Sequence, residues 1–359
     1  MPASSRCAVV GAGIVGLAIA RELQARGFEV VVYERSGIGA GASGVQPGGV
    51  RQQWGTRVAC RLAHESVAFW RDIDVRLRPR VPLELRRGGY LFVAQSEAAL
   101  ARLEANVELQ NEEGIPSRIV SAAEAAELVP GLRPDTLAGG SWCGEDGYFD
   151  RPQSVVQAFA EGLDVRHEEV RALDELDADV VIVAAGTETR TLVAPLGVDL
   201  PVRAEDRHLF LSSPIEERLL EPLVVAPELA FAVKHLADGR VLASDLAARG
   251  DVEVGRTQWR ATIRAGIEQL VPRLEYVSFS ALVSGVYDVT PDHQPILGAI
   301  PGHDNVFVAC GFSGHGFMIA PAVARITADA VEGRRDEAID VLGVDRFARG
   351  RLVPEPQLV

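Results

Sequence analysis

A short apolar run, CAVV at residues 7–10, turns directly into GAGIVG at residues 11–16, and this junction restricts the fold more than any other stretch. From Ile14 to Arg26 the pattern is helical until Gly27 stops it, and FEVVVY (28–33) then reads as a strand ending at Glu34. Strand, glycine turn, helix and strand in roughly thirty residues make one parallel βαβ unit. In such a unit Gly11 allows the tight turn and Gly13 lets backbone amides approach a pyrophosphate. Gly16 permits close helix–strand packing, with Ile14 and Val15 opening the helix. The positive end of the helix dipole favours an anion at the same point. Glu34, 21 residues beyond Gly13, can accept hydrogen bonds from ribose hydroxyls, with Arg35 beside it. The context predicts a dinucleotide site.

Two further runs read as strands of the same parallel sheet: DVVIVAAG from Asp179, closed by Gly186, and NVFVA at 305–309. Fully apolar strands of this kind belong to a sheet covered on both faces. Residues 88–94, 202–213, 229–245 and 275–287 instead mix polar and apolar positions at period two, which predicts a mostly antiparallel sheet with one exposed face. The expected fold class is therefore α/β (α+β, two domains): a Rossmann-type nucleotide domain interleaved with an antiparallel-sheet substrate domain. Residues 1–80, 150–200 and 285–359 fall to the first, 81–149 and 201–284 to the second.

At 359 residues the chain is long enough for two such domains. Its net charge of −14 has the wrong sign for tracking phosphate backbones, so no nucleic-acid partner is expected. The four cysteines are scattered and match neither a disulfide framework nor a zinc site; no metal is expected, and a reducing cytoplasm suits them. The apolar stretch Ala8–Ala20 is too short to span a bilayer, and its glycines sit at motif spacing. One lysine, Lys234, stands against 35 arginines.

Beyond Glu34 lies a small-residue loop, GIGAGASGVQPGG (37–49), leading into VRQQW (50–54). GFSGHGF (311–317) precedes a second helix, from about Met318 to Glu332. A glycine-rich entry lets amides and a helix N-terminus touch a flat ring, and the dipole stabilises negative charge on a reduced flavin. GAGIVG, GASGVQPGGVRQQW, DGYFDRP, VVIVAAG, YDVTPDHQPILG and GFSGHGFMIAP occur in the order of the D-amino-acid-oxidase-like FAD family, which the chain resembles over essentially its whole length. Within it the chain is most similar to the sarcosine- and glycine-oxidase branch, and especially to the β-subunits of dye-linked L-proline dehydrogenases. The resemblance implies FAD and oxidation of a C–N bond next to a carboxylate. It implies cofactor contacts at Ala42, Ser43, Gly49, Val50 and Arg51, at Val170, Ala185 and Gly186, and at Gly311, Gly314, His315, Gly316, Phe317 and Met318.

For the chemistry itself the resemblance points to three residues. Arg51 matches the family arginine for the substrate carboxylate, and a planar guanidinium suits bidentate recognition. Tyr287 stands where the family places a residue over the flavin. Lys234, with His235, lies on the strand expected toward the substrate, although a solvated edge would suit both. Asp292 reads as turn chemistry beside Pro291 and Pro295. The lysine that sarcosine-oxidase relatives hold close to flavin N5 falls here near Leu242, with Lys234 eight residues away, which predicts slow reaction with oxygen and a dye, quinone or partner subunit as electron acceptor. A 2-hydroxy acid is an alternative substrate, and a flavin-binding subunit without its own turnover is another reading. Sarcosine oxidases attach their flavin through a cysteine two residues before the tyrosine; Gly285 stands there, so noncovalent FAD is expected. Acid precipitation of the yellow protein should release the flavin into the supernatant, and flavin left in the pellet would refute this.

Overall fold

The computed structural model describes residues 5–357; the outermost residues of the two terminal segments, 1–4 and 358–359, lie outside the description. A six-stranded sheet runs in the order Ile296–Ile300, His303–Cys310, Val180–Val183, Arg6–Val10, Glu29–Tyr33, Asp164–Arg166. All neighbours are parallel except the hairpin of the first two. Side-chain alternation splits each central strand between two apolar clusters. Val9, Val180 and Ile182 pack under helices Ile14–Ala25 and Gly316–Val331, whereas Val10, Val181 and Val183 pack against Val193, Leu200 and Val202. Both faces are covered, as the unbroken apolar runs require.

The second sheet has eight strands, in the order Phe279–Val289, Arg203–Ser212, Val241–Asp245, Phe231–His235, Leu223–Ala226, Tyr90–Ala94, Gly139–Cys143, Arg118–Val120. Its pairs are antiparallel except Leu223–Ala226 with Tyr90–Ala94. The expected open face is corrected. Helix Val252–Leu270 lies over Phe231, Val233, Val241 and Ala243, and the opposite face packs Tyr90, Phe92, Val225 and Ala232 with Tyr148. Only the edge pair, Arg203–Ser212 with Phe279–Val289, keeps a strongly exposed pattern. The boundary drawn at 285 falls inside Phe279–Val289, which stays paired to the eight-stranded sheet up to Val289. A small third sheet joins Gly49–Val50, Gly147–Phe149 and Leu85–Arg86.

Asp292 does more than shape a turn. Its carboxylate meets the Arg346 guanidinium at 2.9 and 3.0 Å, and both side chains are fully buried. Arg346 also donates to the carbonyls of Leu342 and Gln294, and Asp292 accepts from Val353 N–H. Holding this charge pair out of water fixes the C-terminal segment onto the sheet. Arg346→Met should leave the aspartate unpaired and cost about 3–5 kcal/mol, seen as a fall in Tm of roughly 4–7 °C. A shift of under about 2 °C would show that the pair is dispensable.

Candidate functional site

The two glycine-rich segments converge at the carboxyl ends of the parallel strands. Gly11 holds φ +108°, and a Cβ there would come within 2.4 Å of the Ala184 carbonyl oxygen; one at Gly16 would come within 2.1 Å of the Gly11 carbonyl. The helix Ile14–Ala25 thus starts pressed against two strand ends, and Gly13 opens onto a cavity of about 670 Å³. A Cβ at Gly13 would stand in this opening, 3.3 Å from Ser43 Oγ, which itself accepts the Ile14 N–H at 3.0 Å. Glu34 lies at the strand end, accepting from Ala12 N–H at 2.9 Å and Ser36 N–H at 2.7 Å.

The cavity runs from Glu34 to Tyr287 and gathers most of the expected contacts. Gly11, Gly13, Ile14 and Val15 line it with Glu34 and Arg35; Ala42 and Ser43 follow on the loop. Val170, Ala185 and Gly186 form one wall, and Gly314, Gly316 and Phe317 the far end with Tyr287. Gly16, Gly49, Val50, Gly311, His315 and Met318 are not in its lining; Gly16 acts through packing, and Trp70 Nε1 is bonded to the Met318 carbonyl. The His315 ring stacks edgewise on Trp54, 4.2 Å between centroids, and burial holds its pKa well below the ordinary value. Gly285 packs on Val45, where a Cβ would meet Cγ2 at 2.3 Å unless the valine shifts.

Sequence reasoning missed Asp288. It lines the cavity, accepts the Gly311 N–H at 2.6 Å, and its own carbonyl accepts Ser313 N–H at 2.9 Å. Burial pushes its carboxyl up to about 6, and the contacts hold the loop that carries Gly314. Its neighbours in YDVTP give no signal that distinguishes it from a turn acid.

Two of the three expected chemical residues stand elsewhere than foreseen. Arg51 is buried and absent from the cavity wall: its guanidinium bonds the carbonyls of Gln53 at 2.7 Å and Gln357 at 3.2 Å, and lies 3.6 Å over the Trp54 ring. Burial lowers its pKa to about 10. The C-terminal segment closes over it, with Glu355 accepting from Gly55 N–H and Thr56 Oγ1. Backbone carbonyls take its Nη1 and Nη2, while its buried Nε has no partner. Lys234 is not at a solvated edge; it is 1% exposed on an interior strand and directly opposite Leu242 in register. Lys234 is eight residues from Leu242 along the chain but adjacent to it across the hairpin. His235 is also buried, accepting from Leu219 N–H and bonding the Gly239 carbonyl.

A cavity of this size, with an acid at one end, a helix N-terminus at its middle and a glycine-rich helix entry beyond, fits an extended dinucleotide such as FAD. The sequence pattern of the FAD dependent oxidoreductase (DAO) family matches residues 6–330. The chain belongs to this family. It is an FAD-dependent oxidoreductase with the family's mixed α/β fold. It is 28% identical to a glycine oxidase of Pseudomonas aeruginosa, over 92% of this chain and 96% of that one. It is 26% identical to FAD-dependent oxidoreductase domain-containing protein 1 of Bos taurus, over 92% of this chain and 82% of the relative. Among solved structures, L-proline dehydrogenase from P. horikoshii superposes with a TM-score of 0.89 at 25% identity, covering 98% of this chain and all of that one.

The glycines make separable predictions. Gly13→Val should fold with a Tm close to that of the flavin-free parent yet lose bound flavin by at least about tenfold, because the side chain enters the opening. Gly11→Val should fold poorly, because its Cβ meets backbone at a left-handed φ. Equal flavin content in Gly13→Val and the parent would refute the placement.

Proposed function

We propose that this chain oxidises the C–N bond of an amino acid or secondary amine of the sarcosine, proline or glycine type to an imine, which water then hydrolyses or which cyclises. The observation that carries the reading is the cavity itself, whose lining includes both Glu34 and the pair Tyr287 and Gly314 in a chain of this family. Bound FAD supplies the two-electron acceptor. The protein's part is to position the substrate and exclude water. The cofactor's pyrophosphate is assigned to Gly11 and Gly13 with the amide end of helix Ile14–Ala25, and its ribose to Glu34. The flat ring is assigned to the stretch from Val45 to Gly316.

Tyr287 meets Gly314, with a Cβ there reaching 2.3 Å from its ring and the Arg207 guanidinium 5.2 Å above it. Its hydroxyl is assigned the task of orienting the neutral amine. Asp288 keeps the adjoining loop in place. The 2-hydroxy-acid alternative needs a histidine base toward the substrate. His235 does not suit that part, since both ring nitrogens are engaged by backbone on the side of Leu219 and Gly239. The partner is a small amine or amino acid, with a second subunit or external carrier taking the electrons. No helix among the described residues is long and apolar enough to cross a membrane. Four buried unpaired cysteines suit the cytoplasm we propose.

Anaerobic mixing of the holoprotein with a panel of N-methyl amino acids, cyclic imino acids, amino acids and 2-hydroxy acids tests the reading. Flavin bleaching by members of the first three classes is expected. Bleaching by the hydroxy acids alone would replace it, and dithionite-reducible flavin that no compound bleaches would make the chain a non-catalytic subunit.

A further inference from the structure

Three cations in the described chain are almost wholly removed from water: Arg51, Lys234 and Arg346. Arg346 has Asp292. Arg51 has two carbonyl partners and aromatic faces, which suit a delocalised, weakly hydrated guanidinium. Lys234 is the exception. Its ammonium donates to a single acceptor, the Pro47 carbonyl, and lies 4.3 Å over the Tyr148 ring. Among the described residues it forms no ion pair; the nearest influential acid, Asp150, is bonded to Arg86. A compact ammonium has three donors and strong hydration, and burying it with one partner costs several kcal/mol.

Position indicates what makes up the deficit. Phe231 and Val233 point to the side of the sheet covered by helix Val252–Leu270, so alternation sends Ala232 and Lys234 to the other side, where Ala232 packs in the cluster of Tyr90, Phe92 and Tyr148. Pro47, which the ammonium touches, directly follows Val45 and Gln46 of the cavity wall. Neither Lys234 nor Pro47 lines the cavity itself, so a partner for the ammonium has to reach it past the loop that carries Pro47.

We propose that Lys234, rather than Arg51, binds the substrate's carboxylate. The proposal rests on the amine-acid reading above. Burial lowers the free ammonium to about 7, and an arriving carboxylate restores its charge. Arg207, 5.2 Å from the Tyr287 ring, pairs with Glu205 through one nitrogen and leaves Nε and Nη1 without a partner, so it is the rival from which the Lys234 variants must be told apart.

The test uses the FAD-loaded protein and a pair of non-oxidisable probes, cyclopentanecarboxylate and cyclopentanecarboxamide, titrated while the visible flavin spectrum is followed. The wild type should bind the acid about 100-fold more tightly than the amide, the range of a charge-assisted pair in a water-poor site. Lys234→Met should reduce that preference to within about threefold at unchanged flavin content, and Lys234→Arg should keep at least about tenfold of it. Lys234→Gln, which keeps a polar but uncharged side chain at the position, is read in the same way if the methionine variant does not hold flavin. A preserved acid preference in the neutral variants, or none in the wild type, overturns the assignment. The titration needs no turnover, so its outcome is separate from the substrate panel, where absence of amine bleaching would defeat the functional reading instead.

Discussion

The close approach of the Gly11 backbone to Ala184, with Gly16 against Gly11, decides where everything else in the molecule stands. No side chain fits between these segments, so the first helix begins flush with the ends of the central strands and its amides face outward over them. That geometry leaves a trough above the carboxyl ends of a parallel sheet, the place where such sheets bind ligands. The long loop after Glu34 and the Gly311–Gly316 stretch then both line the trough, because they leave strands that flank the central pair Val180–Val183 and Arg6–Val10 on either side. The second sheet needs only to bring Phe279–Val289 across the open end, which places Tyr287 and Asp288 together in the wall.

Buried charge organises the opposite side. The Asp292–Arg346 pair and the carboxylate of Glu355 hold the C-terminal segment where Gln357 can cap the Arg51 guanidinium. Arg51 therefore belongs to a network of structure. The neighbouring residues agree: Gln52 N–H and Gln53 Nε2 both donate to Asp146, whose carboxyl is pushed up to about 6 by burial. VRQQW is a run in which each polar residue is engaged by the protein itself, although the Arg51 Nε has no partner.

The nucleotide half was readable because its signals are local. Glycine spacing, an acid at a strand end and unbroken apolar strands each have a direct steric or electrostatic meaning, and the first helix came out as Ile14–Ala25 against an expected Ile14–Arg26. The substrate half was less readable because its logic is in register and burial. Alternating residues at 229–245 announced strands, yet not that helix Val252–Leu270 would cover one face. Asp292 carried a turn signal that was true but incomplete, since Arg346 lies 54 positions further along the chain. Arg51 carried a motif whose meaning changed once a distant segment folded over it.

Lys234 illustrates the same point in the reverse direction. Counted along the chain it is eight residues from Leu242, and a hairpin turns that separation into direct opposition. Two residues facing each other across an antiparallel pair share a side of the sheet, so a charge absent from one strand is supplied by the next. What matters to an anion in a water-poor site is the position of the charge, not the strand that carries it, because the local dielectric magnifies any uncompensated ammonium within reach. A chain with a single lysine has placed it on an interior strand, without an acid, against the carbonyl of the loop that walls the cofactor trough. Such a placement is costly in the free protein and becomes favourable when a carboxylate arrives, so binding selectivity and the strain of burial have one origin.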